Sequence, residues 1–170
     1  MGSMKKVGNW NAALALASGL KDNLSKATNK SAAMFGLIAE RIAKDHIANQ
    51  DLGWEPLSEA YLDRKIAEGH SEFTLVRTST YMQSITSWHE DFLPKSLIGY
   101  AGVKRGVFEK SEDGEQVEVA NLAKIHEYGT DNIPARPLWG PTLKEALEEW
   151  SRSWTPIHTF QKQIEKGLKV

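Results

Sequence analysis

The chain has 170 residues, of which 41% are hydrophobic and 25% are charged, as is usual for a soluble globular protein. Its net charge of −1 gives no overall electrostatic attraction to nucleic acid. The lack of cysteine excludes disulfide bonds, thiolate catalysis and cysteine-ligated zinc. No segment approaches the roughly 20 apolar residues of a membrane span, so we expect no membrane association.

The sequence predicts three parts along the chain. Residues 1–3 precede a second methionine, Met4, and are typical of a cloning scar. Residues 4–154 have a length that fits a single domain. Residues 155–170 are expected to form a C-terminal helix or a loose tail, because Pro156 interrupts the helix predicted before it.

Charge is distributed unevenly along the chain. Residues 1–50 carry seven Lys and Arg against three Asp and Glu, a net +4, whereas the remainder carries 14 against 19, a net −5. Such opposite charges either pair between copies of the chain or coat two solvated faces. The basic first 50 residues also keep open an alternative function, a nucleic-acid-binding module whose binding falls steeply with salt.

A long helical repeat extends from about residue 11 to about residue 48. A stripe of apolar and small residues recurs there at alternating spacings of four and three: Leu20, Leu24, Ala27, Ser31, Met34 and Ile38. At 1.5 Å per residue this helix reaches about 50 Å, more than one core of this size needs. Two interpretations remain open: a single helix that packs partly on a neighbouring subunit, or two shorter helices with a break near residues 25–29.

Short helices and strands are predicted next. Ser58 is placed to cap a short helix, and Thr78 to cap one further helical turn. Side chains then alternate over residues 84–89 and 97–103, with a turn at residues 91–94 between the two strands.

The remaining strands and helices follow from the same signals. Shorter strands are predicted near residues 107–108 and 117–119, and connections this brief favour an antiparallel meander. Asn121 can cap a short helix, and Pro141 suits the first turn of a helix that continues to about Trp154. The sequence therefore predicts an α+β fold, in which a long N-terminal helix packs on an antiparallel sheet of about three to four strands, with short helices and a C-terminal helix.

The segment at residues 126–140 is predicted to be a stiff, extended arm. Proline cannot occupy a helix interior, and the residue before a proline is pushed towards extended geometry. Arg136 lies between Ala135 and Pro137 within this arm, so its guanidinium is presented at a set place. Its planar fork suits a carboxylate, either within the chain or on a neighbour.

No set of residues with catalytic spacing stands out. The five histidines are scattered, none forms a metal-binding pair at helical spacing, and no nucleophile elbow, phosphate loop or dinucleotide fingerprint occurs. We therefore expect no catalytic residues, no metal, no cofactor and no enzymatic activity. The nearest approach to a site is His126 beside Glu127, which keeps open a small hydrolase as an alternative.

Five short motifs resemble one family in their order and spacing: Trp54-x-Pro56-Leu57-Ser58, Arg64-Lys65, Leu75-x-x-Thr78 with Ser84-Ile85, Ile125-His126-x-x-Gly129, and Ile133-Pro134-Ala135-Arg136-Pro137. Together they cover residues 54–140 and resemble the bacteriophage virion-morphogenesis proteins, also called tail-completion or neck proteins. The chain departs from the family pattern at Ser79, where the family has glycine, and at Tyr81, where it has leucine.

The resemblance implies a structural subunit of the virion, located in its tail or neck, and in the host cytoplasm during assembly. It implies a ring of this chain, commonly sixfold, that contacts tail-tube or head–tail connector proteins without catalysis, a membrane or specific nucleic acid. On this basis we expect an interface or packing arm formed by Pro134, Arg136, Pro137 and Trp139, close to a loop that contains Trp54, Pro56 and Leu57. For the tryptophan of the arm, interface and core burial both remain open.

Overall fold

The computed structural model describes residues 10–91, 97–111 and 113–167. Within these ranges lie six helices: α1 (Trp10–Asn49), α2 (Glu59–Ala67), α3 (Thr80–Ser84), α4 (Val119–Tyr128), α5 (Trp139–Ser153) and α6 (Pro156–Gly167). The same ranges hold four strands: β1 (Ile85–Asp91), β2 (Leu97–Val103), β3 (Phe108–Lys110) and β4 (Gln116–Glu118). The predicted α+β class, with a long N-terminal helix, is confirmed. The expected cloning scar and most of the turn before β2 lie outside the described residues.

Helix α1 continues without a break through residues 25–29. Of the stripe predicted from the sequence, Ala27, Ser31 and Ile38 are buried and Met34 is half-buried; Ser31 is only 1% exposed. The indole of Trp150 donates a hydrogen bond of 3.0 Å to the Ser31 carbonyl oxygen, and the Ser31 hydroxyl donates to the Trp154 carbonyl oxygen. These contacts with α5 and the residue that follows it stabilise α1 next to residues 25–29, where the sequence left a break in the helix open.

Strands β1 and β2 form an antiparallel hairpin that lies against α1. Ser87 pairs with Ala101 in the ladder, and these residues belong to the face that packs on the helix. A methyl group at Gly99 would overlap the Ala32 carbonyl oxygen of α1, and one at Gly36 would lie 2.9 Å from the Tyr100 carbonyl oxygen. Helix and hairpin therefore approach so closely that only glycine fits at these two contacts.

A carboxylate of α1 also fastens the hairpin. One oxygen of Glu40 accepts hydrogen bonds of 2.8 Å and 2.7 Å from the backbone N–H and the hydroxyl of Ser87. The other oxygen accepts a hydrogen bond of 2.7 Å from Lys44. Burial raises the pKa of Glu40, but the bonds from Lys44 and Ser87 and the lysine charge outweigh it and leave the pKa below its ordinary value.

The described strands form two separate two-stranded ladders, β1–β2 and β3–β4, rather than the single sheet that the sequence predicted. The chain turns between β2 and β3 at Gly106, whose φ of +85° is favourable only for glycine. This turn directs β3 away from the hairpin, so β3 pairs with β4 instead. The second ladder is tied to the body by Arg77, which donates a 2.9 Å hydrogen bond to the Lys110 carbonyl oxygen.

Two hydrophobic clusters flank α1. One is centred on Ile47, Ile85 and Leu138, with Trp54 and Trp139 packed against it. The other joins α1 to Ala146 of α5. Within the described residues, every helix is too short or too polar to span a bilayer.

Candidate functional site

The extended arm is shorter than the predicted segment 126–140, because residues 126–128 end α4 and residues 139–140 begin α5. The arm therefore comprises residues 129–138, and it contacts the loop between α1 and α2 (residues 50–58). Trp54 of the loop donates an indole hydrogen bond of 2.9 Å to the Pro137 carbonyl oxygen. Arg136 Nε donates a hydrogen bond of 3.2 Å to the Glu55 carbonyl oxygen. Residues more than 80 positions apart in the sequence are thereby joined by two side chains that reach across to backbone oxygens.

Arg136 is a buried member of this contact. The residue is 6% exposed, and its backbone N–H donates a hydrogen bond of 2.6 Å to the His126 carbonyl oxygen. We expected a carboxylate partner for the guanidinium. Among the described residues it has none, and the Glu55 backbone oxygen takes that place. The arm holds Arg136 inward, so the charge is used to attach the arm to the loop.

The conformation of the arm begins at Gly129, whose φ is +72°. A Cβ atom at this position would lie 2.8 Å from both the Ile133 carbonyl oxygen and the Ala135 nitrogen. Only glycine therefore satisfies both the backbone angle and the space. Thr130 and Ile133 then bond to each other, through backbone distances of 2.8 Å and 3.3 Å, which closes a tight turn before the prolines.

Glu127 has a structural task at the far end of the arm. One of its carboxylate oxygens accepts hydrogen bonds of 2.8 Å from Leu138 N–H and 3.2 Å from Trp139 N–H. These are the first N–H groups of α5, which have no partner within a helix. A carboxylate placed there also interacts favourably with the helix dipole. Glu127 thus caps α5 from a neighbouring helix.

His126 is largely enclosed beside Tyr81, with ring centroids 5.8 Å apart. Its Nδ1 is buried without a hydrogen-bond partner among the described residues. Burial lowers the pKa of His126, and the charge of Arg136 lowers it further, to about 4. The ring is therefore neutral near pH 7. It does not share a proton with Glu127, whose bonded oxygen faces the start of α5.

Lys65 is a part of this region that the sequence interpretation missed as a site residue, although it belongs to one of the five motifs. It is 2% exposed, and its Nζ donates a hydrogen bond of 2.6 Å to the Phe73 carbonyl oxygen. Burial lowers the pKa of Lys65, and the charges of Arg136 and Arg77 lower it further. No local pattern in the sequence distinguishes this lysine from exposed ones, because its hydrogen-bond partner, Phe73, lies outside α2.

The expected site residues occupy different positions around the contact. Trp54 and Trp139 are partly buried against the core, whereas Pro56 and Pro137 are exposed and Leu57 and Pro134 are half-buried. Two apolar side chains are exposed on the outer side, Ile133 of the arm at 38% and Tyr128 at the end of α4 at 81%. The inner side is thus built for packing, and the outer side offers apolar surface to solvent. Within the described residues no group of three or more His, Asp or Glu is arranged to hold a metal ion.

Comparison with known proteins gives no match: no family model fits the chain, and no curated protein or solved structure is matched by it.

Proposed function

We propose that the chain is a structural phage assembly protein that completes the tail or joins the tail to the head, as one subunit of a ring in the virion. Its partners are further copies of itself and tail-tube or head–tail connector proteins. A sixfold ring is the arrangement that the resemblance favours.

The observation that carries the proposal is the contact between arm and loop. The first and last of the five resembling motifs meet through Trp54 with Pro137 and Arg136 with Glu55. Short motifs that match a family by chance are not expected to contact each other in the folded chain. Motifs that serve one structural purpose are expected to be in contact.

The exposed surface of the described residues also favours an assembly subunit. Large apolar side chains contribute to this surface on several elements, among them Leu24 at 50%, Leu143 at 51% and Ile157 at 70% exposed. Large exposed apolar side chains are candidates for contacts within an assembly.

The hydrolase alternative is disfavoured by the geometry of its two residues. A general base must reach a substrate proton with a free nitrogen or oxygen. The Glu127 oxygen that accepts hydrogen bonds is occupied by two backbone N–H groups of α5, and the Nδ1 of His126 is enclosed. The Glu127 side chain caps α5 and the His126 backbone oxygen accepts a hydrogen bond from Arg136 N–H, so both residues position the arm.

The test is disruption of the gene in the phage that encodes it. We expect electron micrographs to show separate heads and tails, or incomplete tails, and infectious titre to fall by several orders of magnitude. Supplying the wild-type protein in trans should restore joined particles. Supplying the His126→Phe variant should also restore them, because assembly needs the folded arm rather than an imidazole. Normal infectious particles without the protein would refute the proposal.

A further inference from the structure

Arg136 has hydrogen-bond donors beyond the one that attaches the arm to the loop. A guanidinium carries five N–H groups in a planar fork. The Nε–H group of Arg136 is used by the Glu55 carbonyl oxygen, at 3.2 Å. The four N–H groups on its terminal nitrogens, Nη1 and Nη2, have no hydrogen-bond partner among the described residues. One edge of the fork is therefore free.

The free edge of Arg136 reaches the surface, although the residue is only 6% exposed. Among the described residues, the side-chain polar atoms that are both sealed from solvent and without a partner are His46 Nε2 and His126 Nδ1. Neither terminal nitrogen of Arg136 is one of these atoms. Since both nitrogens lack a partner, each of them retains contact with solvent. A group from outside the chain can therefore approach this edge, while the rest of the side chain is enclosed.

The charge of Arg136 is not neutralised by its surroundings. Burial lowers the pKa of Lys65, and the charges of Arg136 and Arg77 lower it further. Burial also lowers the pKa of His126, and the charge of Arg136 again adds to the effect. Within the part of the chain that the structure describes, Arg77 has an ion pair with Glu68 at 3.5 Å, whereas Arg136 has none. An enclosed cation in such surroundings favours the binding of an anion.

The donors of the free edge match a carboxylate. Two parallel N–H groups on Nη1 and Nη2 fit the two oxygens of one carboxylate in a bidentate pair. A phosphate has further oxygens that need further donors. The other enclosed cation, Lys65, already donates to the Phe73 carbonyl oxygen at 2.6 Å, and Nε of Arg136 is used by Glu55. The net charge of −1 also provides no general attraction for a polyphosphate.

We propose that the free edge of Arg136 is a carboxylate-binding site, in which Nη1 and Nη2 each donate a hydrogen bond to one oxygen of the same carboxylate. The charge of Lys65 favours the same anion. The sequence left two partners open for this arginine, a carboxylate within the chain and one on a neighbour. Among the described residues the first does not occur, so the site is available to the second.

In the proposed virion, the carboxylate belongs to an Asp or Glu side chain of a neighbouring subunit, and this part of the inference rests on the proposed function. Enclosed arginines are frequent among the residues that contribute most to protein interfaces. A free small carboxylate is the other source of the same chemistry, and the experiments below distinguish the two.

Titration of the purified protein with sodium acetate at pH 7.5 and constant ionic strength tests the site directly. The Arg136 Nε–H resonance in nitrogen-15 NMR should shift and reach saturation, whereas that of the exposed Arg105 should not saturate. Chloride should bind about tenfold more weakly than acetate, because it lacks two oxygens that match the fork. An Arg136 resonance that does not saturate, or equal binding of acetate and chloride, would overturn the site.

Arg136→Gln and the matched exposed control Arg105→Gln test whether acetate acts through this side chain. Acetate should raise the thermal unfolding temperature of the wild type and of the control relative to chloride, because a ligand of the folded state stabilises it. It should not do so for Arg136→Gln, and an equal rise in all three proteins would contradict the site. The indole N–H resonance of Trp54, which bonds to Pro137, reports whether the arm remains attached. If Arg136→Gln loses that resonance, Arg136→Lys replaces it, since lysine keeps the charge and removes the fork.

Complementation of the gene disruption distinguishes the two sources of the carboxylate. For a carboxylate of a virion subunit, the Arg136 variant should give an infectious titre lower by about tenfold or more than Arg105→Gln. Equal titres, together with saturable acetate binding, would refute a neighbouring subunit as the source and leave a free small carboxylate. Absence of saturable binding, while particles still require the protein, removes only the site. Saturable binding, with particles that do not need the protein, removes only the proposed function.

Discussion

Single side chains decide how the arm is attached. Arg136 was expected from its proline neighbours to be fixed in place, but its partner depends on what the folded chain brings near it. The structure supplies the Glu55 backbone oxygen and the nearby Lys65, so the guanidinium lies among groups that are not carboxylates. A buried charge with few partners is tolerated only where its hydrogen bonds are well placed.

Replacing Arg136 with lysine should therefore destabilise the protein. Lysine keeps the charge but lacks the Nε–H that bonds to Glu55, and a lost hydrogen bond to a charged group costs about 1.5–3 kcal/mol. Arg105→Lys is the matched control at an exposed position, and we expect its free energy of unfolding to equal that of the wild type. Urea unfolding of the three proteins measures the difference, and equal stability of both variants would contradict the role given to Arg136.

His126 should make stability sensitive to acid. Its pKa is about 4 in the folded protein, below the ordinary value of 6.5. The unfolded chain therefore binds a proton first as pH falls, so stability is complete above about pH 6.5 and is lost progressively towards pH 4. The loss amounts to at most about 3 kcal/mol for a shift of this size.

The His126→Phe variant checks this linkage, because phenylalanine keeps a ring beside Tyr81 and does not titrate. Thermal unfolding of both proteins should show a smaller loss of stability between pH 6.5 and pH 4 in the variant. The comparison at pH 7.5, where the wild-type ring is neutral in both states, isolates the packing effect of the substitution. Parallel curves for the two proteins across the whole range would show that His126 does not contribute.

At the scale of helices and strands, the contact between α1 and the β1–β2 hairpin requires two backbones to approach closely. Hydrophobic periodicity predicted the helix, and alternation predicted the strands, but neither pattern specifies how closely two backbones approach. That distance is set by two glycines that face an opposing backbone oxygen, Gly99 against Ala32 and Gly36 against Tyr100. A two-stranded ribbon is marginal alone, so packing on α1 is what stabilises it.

Gly99→Ala should therefore cost about 1–3 kcal/mol, the usual penalty for forcing an extra methyl group into a packed contact. The control is Gly19→Ala in α1, where nothing lies within 4 Å of the added atom. There we expect no loss, or a gain of up to about 1 kcal/mol from helix propensity. Thermal unfolding separates the two, and a Gly99→Ala protein as stable as the wild type would disprove the close approach.

At the scale of the whole molecule, we expect the purified protein to associate only weakly with further copies of itself. The contacts available to it are exposed apolar side chains and salt-sensitive charges, which give modest affinity. Light scattering of the purified protein should give the mass of a 19.0 kDa monomer or a small oligomer. Association should weaken as salt is raised. An obligate, very stable dimer would contradict this expectation.

The local patterns of the sequence were sufficient to predict the main helices, the strands of the hairpin and the extended arm. The helical stripe of α1, the alternation in β1 and β2, and the prolines of the arm each report a preference of a few neighbouring residues, and such preferences survive in the folded protein. The grouping of Trp54 with the arm came from the family resemblance and not from a local pattern.

The tertiary structure decided every feature that depends on residues distant in the chain. The burial of Lys65, the capping of α5 by Glu127, the separation of the strands into two ladders and the inward position of Arg136 are of this kind. The reason is physical: burial and hydrogen-bond partnership depend on which elements come together, and a local pattern contains no information about a partner that is 80 residues away.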